Sequence, residues 1–133
     1  MLFLPINVGN TELSNRIVVS PMCQYSANKG LMNNWHLQHL TQMGLSGAGL
    51  VMIESTAVEE IGRITNHCVG LYDDDCKNSI KTILDEVKKL SLPSTKFGIQ
   101  LGHAGRKAST QRPWEGRLYL KTNESPWETC SPS

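Results

Sequence analysis

Residues 50–56 read Leu-Val-Met-Ile-Glu-Ser-Thr, and this stretch decides the fold. Four apolar residues run without alternation and then give way to three polar ones. A half-exposed strand would alternate, whereas an unbroken apolar run suits a strand buried on both faces, as in a parallel sheet. Two more short apolar runs flank it: Ile17–Ser20 upstream, which is β-branched, and Phe97–Leu101 downstream.

Helical patterns fill both gaps. In the first, Asn33 or Asn34 can cap a helix beginning near Trp35, with Leu37, Leu40 and Met43 at spacing three and Gly44, Gly47 and Gly49 closing it. In the second, Ile80, Ile83, Leu84, Val87 and Leu90 form one apolar stripe. Asp73 to Asp75 at its start and Lys88-Lys89 in its last turn both suit the helix dipole, and Pro93 stops it. Ahead of the first strand, two short apolar pieces around Gly9-Asn10 read as a β-hairpin. Residues 104–133 carry no periodicity and read as an irregular tail. The order is therefore β-hairpin, then β-α-β-α-β, which predicts an α/β fold with a parallel sheet and right-handed crossovers in one domain, 1–133.

The chain has 133 residues, 39% hydrophobic and 19% charged, with a net charge of +1. That is the balance of a globular protein. Lys and Arg are scattered and neither sign dominates, so no nucleic-acid or membrane-surface role is expected. The opening "MLFLPINVGN" reaches Pro5 too soon for a signal peptide or a membrane span. Cys23, Cys68, Cys76 and Cys130 form no CxxC pair, which implies free thiols in a reduced, cytoplasmic setting.

In sheets of this type function gathers at the carboxyl ends of the strands. The first strand ends in Ser20-Pro21-Met22-Cys23 and leads to Tyr25, the second in Glu54-Ser55-Thr56. The third contains Gln100 and runs into "GHAGRK", with His103, Arg106 and Lys107. Singly, these have plainer readings. A free cysteine is commonly a small buried hydrophobe, and without a nearby cation it has no reason to ionise. A tyrosine usually packs with its hydroxyl on a backbone group. Gln100 says more, because an amide in a buried strand must find donors and acceptors, and a ligand with a mixed edge would supply them. His36 and His39 stand at i and i+3, a spacing that could bind a metal. No further Cys, His or carboxylate lies nearby to complete the shell, so helix-end hydrogen bonding is the alternative and no metal site is expected. "GLSGAGL" ends a helix and precedes a strand, the wrong order for a phosphate cradle.

Taken together, "LFLPINVGNTELSNRIVVSPMCQYS", "GLVMIESTAV" with "GRIT", and "GIQLGHAGRKAS" with "RPWEG" resemble the Old Yellow Enzyme family, in its cysteine-containing, bacterial class of ene-reductases, the NADPH dehydrogenase type. The resemblance covers essentially the whole chain. It implies the N-terminal portion of an FMN-dependent (β/α)8 TIM barrel that takes hydride from NAD(P)H and passes it to an activated, enone-like alkene. By the same resemblance Ser20, Pro21, Met22 and Cys23 would line the flavin, with Cys23 tuning it as a weak thiol donor. Ser55 would touch the flavin, Gln100 would hydrogen-bond its pyrimidine edge, and Tyr25 would orient the substrate carbonyl. His103 and Arg106 match the family's "HAGR" turn and read as structural.

A (β/α)8 barrel typically needs about 250 residues. Only three strands are expected here, without the later histidine pair that would polarise the substrate carbonyl and without the loops that hold the FMN phosphate. Such a portion leaves strand edges and an inner sheet face uncovered. It is expected to aggregate or assemble, with a complementing C-terminal portion of the barrel or with copies of itself, and to turn over little alone. The alternative is a non-catalytic remnant or interaction module that has lost flavin binding.

Overall fold

The central run folds as the middle strand of a parallel sheet. A computed structural model describes residues 1–132 and contains strands β1 (Ile6–Val8), β2 (Thr11–Leu13), β3 (Val18–Val19), β4 (Leu50–Ala57) and β5 (Lys96–Gly102), with helices α1 (Asn34–Gly44) and α2 (Asp74–Leu90). The strands β3, β4 and β5 lie side by side in that order, all parallel, with Val18 opposite Leu50 and Leu50 opposite Lys96. β1 and β2 form a separate antiparallel hairpin, turned at Gly9 with φ +58°.

Local chemistry starts and stops each helix. At α1 the Asn33 side chain accepts the Trp35 N–H, and His36 Nδ1 accepts the Asn33 N–H at 3.1 Å, a reciprocal cap. At α2 the Asp73 carboxylate accepts the Cys76 N–H at 2.7 Å. The helix ends at Leu90, and Ser91 is its C-cap. Both helices pack on one face of the sheet. The core unites Leu40 of α1, Val51 and Ile53 of β4, and Ile80, Ile83 and Val87 of α2, with Phe97 and Ile99 of β5 against it.

Four details differ from the sequence reading. The three strands are not all buried on both faces: β4 is largely covered, but Val18 is 48% exposed and Leu101 55%. The helices cover only one side, as expected of a partial barrel, and among the described residues nothing layers the other. β3 is shorter than Ile17–Ser20, because Pro21 has no N–H to continue a ladder. Leu90 belongs to the α2 stripe by spacing yet is 56% exposed at the helix end. The tail is aperiodic but ordered. It makes 3-10 turns at Gly105–Lys107, Pro113–Glu115 and Thr122–Glu124 and folds back on the loop that follows β4. There the Thr110 N–H donates to Ile64 O, and Trp127 Nε1 donates to Ile61 O, both at 2.9 Å. The guanidinium of Arg63 is held between the rings of Tyr72 and Trp127, 5.9 and 5.2 Å from their centroids. Such contacts satisfy the backbone without any repeating pattern. The described residues make a three-stranded α/β layer and no closed barrel.

Candidate functional site at the carboxyl ends of the parallel strands

The ladder between β4 and β5 slips by one residue: Ile53 pairs with Ile99, but Ser55 pairs with Gln100. Glu54 is the extra residue of a β-bulge. Ile53 and Glu54 therefore both face the helices, and Ser55 and Gln100, opposed in register, share the other face. Under strict alternation from Val51, Ser55 would point at the helices. The bulge instead places a hydroxyl beside a carboxamide on the open side of the sheet.

The segment leaving β3 closes one flank. Ser20 and Met22 are exposed, Pro21 and Cys23 partly buried. Burial pushes the Cys23 thiol above its ordinary range, with neighbouring Cys68 and Glu54 adding to the effect. The Ser55 backbone and the Tyr25 side chain pull it back in part. Cys23 is thus a neutral thiol at neutral pH, held against the end of β4. Tyr25 adopts φ +50°, the left-handed region that side chains other than glycine rarely enter. Its ring meets Trp114 edge-on, with centroids 5.7 Å apart. Burial is also the main cause that raises its phenol, while Arg117 draws it down.

Two cavities open here. One of about 340 Å³ lies between the ends of β4 and β5, against Ser55, Ala57, Cys68, Gly102, His103 and Lys107. A Cβ at position 102 would come within 3.0 Å of Ser55 Oγ, so the glycine lets the two strand ends approach. The other, about 590 Å³, is bounded by Tyr25, Thr65, Arg106, Lys107, Gln111 and Arg117. Lys107 borders both.

The structure brings Cys23, Tyr25 and Ser55 into one neighbourhood and sets Gln100 beside Ser55. It corrects the argument made for Gln100. The side chain is exposed, not buried, and makes no hydrogen bond among the described residues, so no buried amide demands a partner. It is a free donor and acceptor on an open face. His36 uses Nδ1 for the helix cap, in keeping with the helix-end reading, but a carboxylate does lie beside it: Glu54 Oε1 is 3.4 Å from His36 Nε2. The bulge creates that approach, which linear spacing cannot reveal. No group of three potential metal ligands exists among the described residues. His103 Nε2 is tied to Glu59 Oε2 at 3.1 Å, a surface contact. Sequence reasoning named Glu54 and Lys107 at the strand ends without giving them a role, and it missed Cys68 as a neighbour of the site. A signal for Glu54 was present, as the one acid in the apolar run of β4.

The family model for NADH:flavin oxidoreductase / NADH oxidase proteins matches residues 1–129. This chain belongs to that family. Among members of the NADH:flavin oxidoreductase family, a protein of that name from Gibberella zeae is 44% identical over 113 residues, 85% of this chain and 27% of that protein. NADPH dehydrogenases of Listeria monocytogenes and Bacillus subtilis are 43% and 38% identical, over 80% and 83% of this chain and 31% and 32% of their own lengths. The chain spans under a third of the length of these curated relatives. Among solved structures, an Old Yellow Enzyme from Pichia superposes with TM-score 0.71 at 27% identity, over 81% of this chain and 28% of its own. Morphinone reductase superposes with TM-score 0.74 over 97% of this chain and 38% of its own, and at 19% identity it speaks for the fold alone. The resemblance carried by "SPMCQY" and "QLGHAGRKA" thus leads to the right family. The described residues form an α/β part of the barrel architecture that these structures share.

Proposed function

We propose that residues 1–133 form a partial TIM-barrel domain, one wall of the flavin site of an FMN-dependent NAD(P)H oxidoreductase of the ene-reductase type. The observation that carries this reading is the in-register pair Ser55 and Gln100, set on the open face by the bulge at Glu54. A flat ring system with one mixed donor–acceptor edge fits that chemistry. Gln100 offers an unused carbonyl and NH2 to the edge. Ser55 offers a hydroxyl, and Pro21 and Met22 offer apolar surface. When bound, FMN relays hydride from NAD(P)H to the β-carbon of an activated, enone-like alkene.

The chain's own residues bind and orient in this scheme. Cys23, neutral because burial disfavours its thiolate, is a weak donor beside the ring and no nucleophile. Tyr25 keeps its proton at neutral pH, since burial raises its phenol, and so can donate a hydrogen bond to a substrate carbonyl. Ser20 to Met22 bound the ring's flank. The uncovered sheet face fits a complementing remainder of the barrel or a second copy. All four cysteines are free, which supports a cytoplasmic setting.

The test is a graft. Residues 1–129 replace the matching part of the Listeria monocytogenes NADPH dehydrogenase. A yellow protein that keeps its flavin through gel filtration and oxidises NADPH with cyclohexenone supports the reading. A folded, colourless graft would refute it and favour a non-catalytic module.

A further inference from the structure

Glu54 is the only acid in β4, and it is 4% exposed. A buried carboxylate is costly unless charges and hydrogen bonds compensate it, and an apolar residue at such a position is often as stable or more so. Its contacts show what it holds. Oε2 accepts the backbone N–H of Gln24 at 3.1 Å, and Gln24 is the residue between Cys23 and Tyr25. Oε1 faces His36 Nε2 at 3.4 Å, and His36 is 1% exposed. His36 Nδ1 accepts the Asn33 N–H, and Nε2, which makes no hydrogen bond among the described residues, lies beside the carboxylate.

The same loop is gripped from its other side. Trp35 Nε1 donates to Gln24 Oε1 at 3.1 Å, Gln24 Nε2 donates to Met22 O at 2.8 Å, and Asn33 Nδ2 donates to Ser26 O at 2.7 Å. Between these anchors Tyr25 is kept at φ +50°, a conformation that persists in a non-glycine residue only where its surroundings impose it. The next residue of β4, Ser55, lies close enough for its backbone to influence the Cys23 thiol.

We propose that Glu54 is a positioning residue, packed beside His36, whose carboxylate pins the Cys23–Gln24–Tyr25 segment to the end of β4 and so holds the thiol and the phenol in working register with Ser55. One residue inserted in the ladder performs two tasks: it turns Ser55 to the open face and sends a carboxylate back to hold the neighbouring loop. The working role of Cys23 and Tyr25 rests on the flavin reading above; the pin itself does not.

The test uses the chain as it is, without flavin, so it can fail while the graft succeeds, and the reverse. Amide exchange of Gln24 and Val87 is followed together with alkylation of Cys23 by iodoacetamide, each cysteine being resolved by peptide mass spectrometry. In Glu54→Ala the Gln24 N–H loses a charged acceptor, so its protection should drop about 10- to 150-fold. Cys23 should be alkylated faster, while Val87 and the buried thiols of Cys68 and Cys76 stay protected. Glu54→Gln keeps an acceptor but removes the charge. Its Gln24 protection should fall less, about fivefold, and the pH profile of Cys23 alkylation should move to lower pH, because the removed charge faces the thiol. Should the alanine variant lose protection at Val87 as well, the glutamine variant decides alone. Unchanged Gln24 exchange and an unchanged Cys23 profile in Glu54→Gln would overturn the proposal. So would a uniform loss of protection in both variants.

Discussion

Replacing Gln100 by alanine separates two readings of that residue that the sequence cannot tell apart. If the amide were a buried structural group, its removal would strand its partners and cost about 1–3 kcal/mol of stability. In the structure it is exposed on β5 and bonded to nothing among the described residues, so Gln100→Ala should change the stability of the chain by no more than about 0.5 kcal/mol. Flavin binding should respond very differently. An amide that gives one donor and one acceptor to a ring edge makes two neutral hydrogen bonds, each worth about 0.5–1.5 kcal/mol net. Their loss, about 1–3 kcal/mol, weakens FMN binding about 5- to 150-fold. Urea unfolding of the chain measures the first quantity. Flavin fluorescence titration of the Listeria graft, with and without the substitution, measures the second. A stability loss well above 1 kcal/mol would show that Gln100 has a structural partner, and an unchanged FMN affinity would refute its place at the flavin edge.

The one-sided layering makes a second prediction. Val51→Ala opens a hole in the fully buried core and should cost about 2 kcal/mol or more in chemical denaturation, whereas Val18→Ala, on the uncovered face, should stay within about 0.5 kcal/mol; equal costs would mean that both faces are covered. Stability should also fall in acid. The Cys76 N–H holds the Asp73 carboxyl below its ordinary range, and Lys81 does the same for Asp85. A carboxylate depressed in the folded state contributes fully above its unfolded pKa, and that contribution is lost as pH falls through the folded value. Unfolding midpoints should thus be level above about pH 5 and decline below about pH 4. Asp73→Asn keeps the cap acceptor and should make that decline shallower; an identical slope would remove Asp73 from the account.

Much of the fold is legible along the chain because its causes are local. The capping asparagine and aspartate, the apolar stripe of α2, the glycines after α1 and the proline after Ser91 act within a turn or two of where they stand. The candidate site residues were legible as types: the Cys23 and Tyr25 pair after a strand, a serine at the end of the next, an amide in the third. Gln100 was singled out on a mistaken premise, since burial depends on what covers a strand, and no pattern within the strand records that. The ordered tail escaped for a related reason. Trp127 and Thr110 satisfy the loop after β4 singly, without a period to detect.

By itself, then, the sequence determined the order of strands and helices, the helix ends, and the family. Tertiary structure decided which face Ser55 occupies. Strand alternation is set by the backbone, but a bulge exists only where two paired strands count residues differently, and that count belongs to β4 and β5 together. The same slip carried Glu54 to His36 and to the loop of Cys23. The acid, the histidine and the glutamine stand far apart along the chain, and only pairing the strands and packing α1 on them turns three unremarkable residues into one contact.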